Sequence, residues 1–133
     1  GADMIFASAN SDVGSIGVTQ SYLENTGKNT KDGLIYQELH SGKYKDMLNP
    51  DKSLTSEERA LVERDLAIVY ENFIKAVSEN RRLTIDAVRK LADGSSMTGA
   101  MALDSKLIDK IGGTSEASDW LKEKIGEEPE FCW

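Results

Sequence analysis

The sequence predicts an α/β fold in which a few short strands are followed by packed helices. Three observations predict it. Short apolar runs broken by glycines and polar residues fill the first third of the chain. An apolar stripe at spacings of three and four then runs from Leu61 to Val77. After it, helix start and stop signals alternate almost to the C-terminus. Strands first and helices later is the order expected for the later part of an α/β domain. The strands are too few for a complete sheet, so further strands are expected upstream or from a partner.

Met4–Ala7 and Ser15–Val18 read as short strands, with Gly14 and Gly17 marking tight turns or close backbone approach. Tyr22–Glu24 suits a short helix, and the polar stretch Asn25–Asp32 reads as a loop. Gly33–Leu39, with β-branched and aromatic content, reads as a third strand. Thr55-Ser56-Glu57-Glu58 fits a capping box, in which hydroxyl and carboxylate satisfy each other's backbone N–H groups. The long helix behind it carries Leu61, Val62, Leu66, Val69, Tyr70, Phe73, Ile74 and Val77 on one face and should end near Asn80. Thr84 caps a second helix that Asp93-Gly94 stops, and Thr98 caps a short third one. Leu107–Ile111 reads as a short strand or turn, and Thr114 opens a last helix. The acidic, then aromatic, segment 127–133 reads as a loosely held tail.

Composition excludes several classes of function. With 39% hydrophobic and 29% charged residues over 133 positions, the chain reads as globular, with a real core. A net charge of -7 argues against nucleic acid and anionic membrane surfaces, both of which select clustered Lys and Arg. No apolar run is long enough to span a bilayer. His40 is the only histidine and Cys132 the only cysteine, so no metal-ligand spacing exists and no metal or cofactor is expected. A Ser-His-Asp triad would have to use His40, but adjacent Ser41 would point to the opposite face of an extended segment. His40 is therefore read as a strand-end polar residue. Gly14-Ser15-Ile16-Gly17 has the GxxG spacing of a nucleic-acid loop without the basic residues, and no phosphate-loop lysine follows it.

Lys45 stands in Ser41-Gly42-Lys43-Tyr44-Lys45-Asp46, a segment with an apolar continuation, Met47-Leu48, and a stiffening Pro50. Most loop lysines are solvated. Here Gly42 permits an unusual turn that could press the lysine onto an apolar floor. Burial disfavours an ammonium, and so makes a neutral amine available as a base.

These blocks, taken in order, resemble the signal peptide peptidase family of the SppA type. Ala2–Ala7, Val13-Gly14-Ser15-Ile16-Gly17-Val18, the Ser-Gly-x-x-Lys-Asp segment with Asn49-Pro50, Leu54–Arg59, Phe73–Arg81, Leu91–Gly94, Thr98-Gly99, Ala102 and Leu107–Gly112 all match, with matching spacing. The resemblance implies the C-terminal portion of a ClpP/crotonase-like catalytic domain over residues 1–126, with the tail at 127–133. It implies a Ser/Lys-dyad serine endopeptidase in which Lys45 is the general base and Ser15 orients its amine. The nucleophile belongs to a Ser-Gly-Gly-Tyr turn that does not occur in this chain and is expected upstream, so this chain alone is expected to be inactive. The resemblance further implies hydrophobic peptide substrates such as signal-peptide remnants, homo-oligomeric rings, no cofactor, and a membrane-anchored parent in a prokaryotic cell envelope, this segment itself being soluble. A noncatalytic assembly or scaffold domain of the same fold is the alternative; an acyl-CoA-handling crotonase relative would not carry the lysine segment. An exposed apolar sheet face or edge, and hence self-association, is expected of the isolated chain.

Overall fold

In chain order, the computed structural model contains β1 (Phe6–Ala7), β2 (Asp12–Gly14), α1 (Thr26–Lys31), α2 (Ser56–Arg81), α3 (Ile85–Leu91), β3 (Ser96–Thr98), α4 (Gly99–Asp104), β4 (Lys110–Ile111) and α5 (Thr114–Ile125). It describes residues 2–130, so Cys132 and the end of the expected tail lie outside the described residues. The architecture is α/β, and the chain divides into two units: Gly1–Gly17 with Asn72–Trp133, and Val18–Glu71.

The first unit holds both sheets. β1 pairs in parallel with β4, Phe6 opposite Lys110, and β2 pairs antiparallel with β3, Val13 opposite Met97. Ile16, Ile74, Val88, Ala92, Ala102, Leu107 and Ile108 form its buried core. Phe6 meets Trp120 of α5 edge-on, with ring centroids 6.4 Å apart, an arrangement that suits the ring quadrupoles. The Asp109 carboxylate joins three parts of the unit. It accepts two hydrogen bonds from the Arg81 guanidinium, at 3.0 and 2.7 Å, and one from the Ile5 N–H at 2.8 Å. Arg81 beside it holds its carboxyl below the usual carboxylate range.

Helix ends follow the sequence closely. Glu58 N–H donates to the Thr55 hydroxyl (3.2 Å) while the Glu58 carboxylate accepts from the Thr55 N–H (2.9 Å), completing the capping box. Thr84 and Thr98 accept from the N–H groups of Ala87 (3.2 Å) and Met101 (3.4 Å). The Glu116 carboxylate accepts from the Gly113 N–H (2.7 Å), and Gly126 closes α5 at φ 81°. The long helix ends at Arg81, one residue past the expected limit.

Four expectations are corrected. Ser15–Val18 is not a strand: the ladder stops at Gly14, and Ser15 takes a left-handed φ of 52° that a strand cannot accommodate. Gly33–Leu39 forms no ladder among the described residues, although its residues are the right type. Tyr22–Glu24 is not helical, whereas the polar stretch after it forms α1. Propensity does not explain α1, but its ties do. Asn25 N–H donates to the Pro50 carbonyl at 2.7 Å, and the Asn29 side chain donates to Asp51 at 3.0 Å. Such contacts hold a segment too short and too polar to be helical alone.

Candidate active site

The Gly14-Ser15-Ile16-Gly17 turn is built by close approach to the Asp93-Gly94-Ser95 turn within the first unit. Ser15 N–H donates to the Ser95 carbonyl at 2.8 Å, and Gly94 N–H donates to the Ile16 carbonyl at 3.1 Å. A Cβ on Gly14 would lie 2.9 Å from the Ser95 carbonyl oxygen, and one on Gly17 would lie 3.2 Å from the Gly94 Cα. Gly14, which also has a φ of 126°, is therefore needed for contact, whereas a side chain at Gly17 would require the Gly94 backbone to give by a few tenths of an ångström. Ile16, 5% exposed, pins the turn to the core. The opposing turn is fixed by Asp93, which accepts the Ser95 N–H (2.9 Å) and hydroxyl (2.6 Å). These bonds to Ser95 hold the Asp93 carboxyl below the usual range. Ser15 is left exposed on a backbone held from both sides. Asp93-Gly94 thus does more than stop α3: it is the floor of the Ser15 turn. An Asp-Gly-Ser run is a turn signature in sequence, but its partner is not readable there.

Lys45 lies in the second unit, within the turn at residues 43–48. Its N–H donates to the Gly42 carbonyl at 3.1 Å, and the next turn bond runs from Met47 N–H to the Tyr44 carbonyl at 3.2 Å. The expected burial of Lys45 is not found: the side chain is exposed. Met47 and Leu48 take the inward positions, lining an apolar cavity of about 280 Å³ with Val18, Val62, Leu66 and Val69. The turn does have an apolar floor, but residues after the lysine occupy it.

The neighbours of Lys45 are tied down. The Lys43 ammonium donates to both Glu57 oxygens (2.6 and 2.5 Å), and the Tyr44 hydroxyl donates to the same carboxylate. Lys43, then Tyr44, hold the Glu57 carboxyl below its usual range. On the other side, the Tyr36 hydroxyl donates to Asp46 at 2.5 Å, and the Asn49 amide donates to Asp46 at 3.0 Å and to the Tyr36 oxygen at 2.9 Å. The Asp46 carboxylate pushes the Tyr36 hydroxyl up to about 12. No hydrogen bond or ion pair among the described residues engages the Lys45 ammonium. His40 stands 3.5 Å from Glu38; it is polar as read in sequence, but it does not end a strand, because Gly33–Leu39 forms none among the described residues. Glu57 and Tyr36 are partners of this turn that sequence reasoning missed. Glu57 reads as a helix-start residue and Tyr36 as a strand residue, and no spacing rule links either to position 45.

Comparison with known proteins gives the class, the peptidases, and the family. The chain matches peptidase family S49 over residues 1–127 and belongs to it. It is 35% identical over 124 residues, 93% of its length, to a candidate signal peptide peptidase SppA of Enterococcus faecium. It is 34% identical over 122 residues, 92% of its length, to a candidate protease of Methanocaldococcus jannaschii. Its identity to the chloroplastic serine protease SPPA of Arabidopsis thaliana is 30% over 112 residues, 84% of its length. The chain spans 36%, 39% and 16% of these relatives' own lengths.

Proposed function

We propose that this chain supplies the general base of a Ser/Lys-dyad serine endopeptidase with a ClpP/crotonase-like fold. Lys45 is the base, Ser15 orients its amine, and the nucleophilic serine comes from a segment outside this sequence. The supporting observation is a free, exposed lysine ammonium in a turn whose flanking side chains are all engaged, in a member of a peptidase family. No Ser-Gly-Gly turn occurs in the chain to supply the nucleophile.

The chemistry is ordinary proton transfer. The neutral amine of Lys45 takes the serine proton as the hydroxyl oxygen attacks the peptide carbonyl. The resulting ammonium then returns a proton to the leaving amine, and an acyl-enzyme is left for water to hydrolyse. An exposed ammonium is a poor base until water is removed from it, so the base form requires cover. In this reading, the substrate and the nucleophile-bearing segment provide that cover. Ser15, held by Ser95 through its backbone, keeps its hydroxyl free to accept from or donate to the amine, as the orienting group does in a triad. The substrates are hydrophobic peptides such as signal-peptide remnants, and the working form is a membrane-associated homo-oligomer. No helix among the described residues is long and apolar enough to cross a membrane.

The test is peptide hydrolysis. The chain alone is expected to give no turnover. In the protein that joins it to the nucleophile segment, Lys45→Ala should lower kcat by roughly a thousand-fold or more, the scale of a lost base that also activates the nucleophile. Turnover by the chain alone that survives Lys45→Ala would overturn the reading.

A further inference from the structure

We propose that Glu57 and Tyr36 are positioning residues that clamp the Lys45 turn from its two sides and so fix where the Lys45 amine points; this rests on the reading of Lys45 as the base. The turn has two anchorages, one for each neighbour of Lys45. Tyr44 and Lys43 converge on the Glu57 carboxylate in the first turn of α2, and Asp46 is held by Tyr36 and Asn49. Glu57 itself stands on a fixed support. Helix α2 begins under the Thr55–Glu58 capping box, and an acidic side chain in a first turn is further favoured by the helix dipole. Lys43 also lies 5.2 Å from the Tyr44 ring centroid, so these two side chains hold one another as well as Glu57. The ion pair is surface-exposed, at 65% for Lys43 and 56% for Glu57. Pairs of this kind contribute little to global stability. Their bidentate contact and shared partner instead order the backbone locally. Side chains that fix both neighbours of a residue while leaving its own ammonium unengaged suit a group that must be aimed without a carboxylate partner that would hold it protonated.

This differs from a general stabilising role, because the effect should stay within the turn. The Lys75–Glu79 pair on α2, exposed at 69% and 66%, is a control of the same type away from the turn. The experiment compares Glu57→Ala, Tyr36→Phe and Glu79→Ala. Amide hydrogen exchange is read in this chain at Lys45, Met47 and Asn49, whose N–H groups make the turn bonds. The clamp predicts that Glu57→Ala and Tyr36→Phe each speed exchange there on the order of ten-fold with an unchanged Tm, and that Glu79→Ala leaves it alone. In the assembled peptidase the same two variants should lower kcat by on the order of ten-fold or more at constant KM, as for a misplaced reacting group. Glu57→Gln, which keeps an acceptor for Tyr44, should recover part of the loss. Unchanged exchange in both variants, or a loss of Tm that accounts for it, overturns the clamp. Activity that survives Lys45→Ala overturns the base reading, and the exchange result then still decides the clamp separately.

Discussion

At the scale of single residues, the family's small-residue signatures have a mechanical meaning that differs from one glycine to the next. Gly99 starts α4 where the chain passes the Ser8 carbonyl, and a Cβ there would sit 2.0 Å from the Ser8 oxygen and 3.0 Å from its carbon. Neither atom belongs to a side chain that could swing away. Gly99→Ala must therefore force β1 and α4 apart, at a cost of about 3 kcal/mol or more. Gly27, inside α1, has nothing within 4 Å of its would-be Cβ. Gly27→Ala should be neutral or stabilise by up to about 1 kcal/mol, because it removes unfolded-state freedom at a helical position. Urea midpoints of the two variants make the comparison. Equal midpoints would refute the packing argument, since both changes add the same methyl group.

Among the elements, α2 depends on carboxylates near each of its ends. Glu58 accepts from Thr55 and from the Lys52 ammonium (3.0 Å) near the start, and Asp109 accepts from Arg81 at the end. For Glu58 the Thr55 backbone N–H is the chief cause of a lowered pKa, followed by Lys52; for Asp109 it is Arg81. A carboxylate whose folded pKa lies below its unfolded value stabilises fully above that unfolded value. The contribution is lost as pH falls through the folded one. The unfolded references are 4.5 and 3.8, so Tm should hold from neutral pH to about 4.5 and fall below it. The Asp109→Asn variant should show a shallower acid fall than the parent, and an equally steep one would remove Asp109 from the account. The same helix shows what was legible in sequence. Its start and stop were readable, because capping is a local rule; of its apolar stripe only Ile74 is buried, and Val69 and Phe73 are exposed. The close approach at Gly14 and Gly17 was readable too, but not its partner Ser95, and helix α1 was not, because these depend on Ser95, Pro50 and Asp51, which are remote in sequence. Gly33–Leu39 had strand-forming residues but found no ladder among the described ones, since a strand is completed by a neighbour and not by its own composition.

For the molecule as a whole, the segment Gly33–Leu39 leads to the last expectation. Leu34 is 61% exposed, Ile35 84% and Leu39 99%, while Tyr36 and Glu38 hold Asp46 and Lys52. Tyr36 and Glu38 of the segment are thus engaged, while its large apolar groups project into water. Covering Ile35 and Leu39 would contribute about 2 kcal/mol each. The net charge of -7 opposes association of like copies. An apolar contact should therefore strengthen when salt screens that repulsion, whereas a contact made by ion pairs should weaken. Sedimentation of the isolated chain across a concentration series is expected to show self-association that increases with added salt. The Ile35→Glu, Leu39→Glu double variant should shift it toward monomer without lowering Tm, because both side chains are already exposed. A cooperatively folded species that stays monomeric throughout the series would show that the exposed segment is tolerated in water, and the expectation of an apolar edge seeking cover would fail.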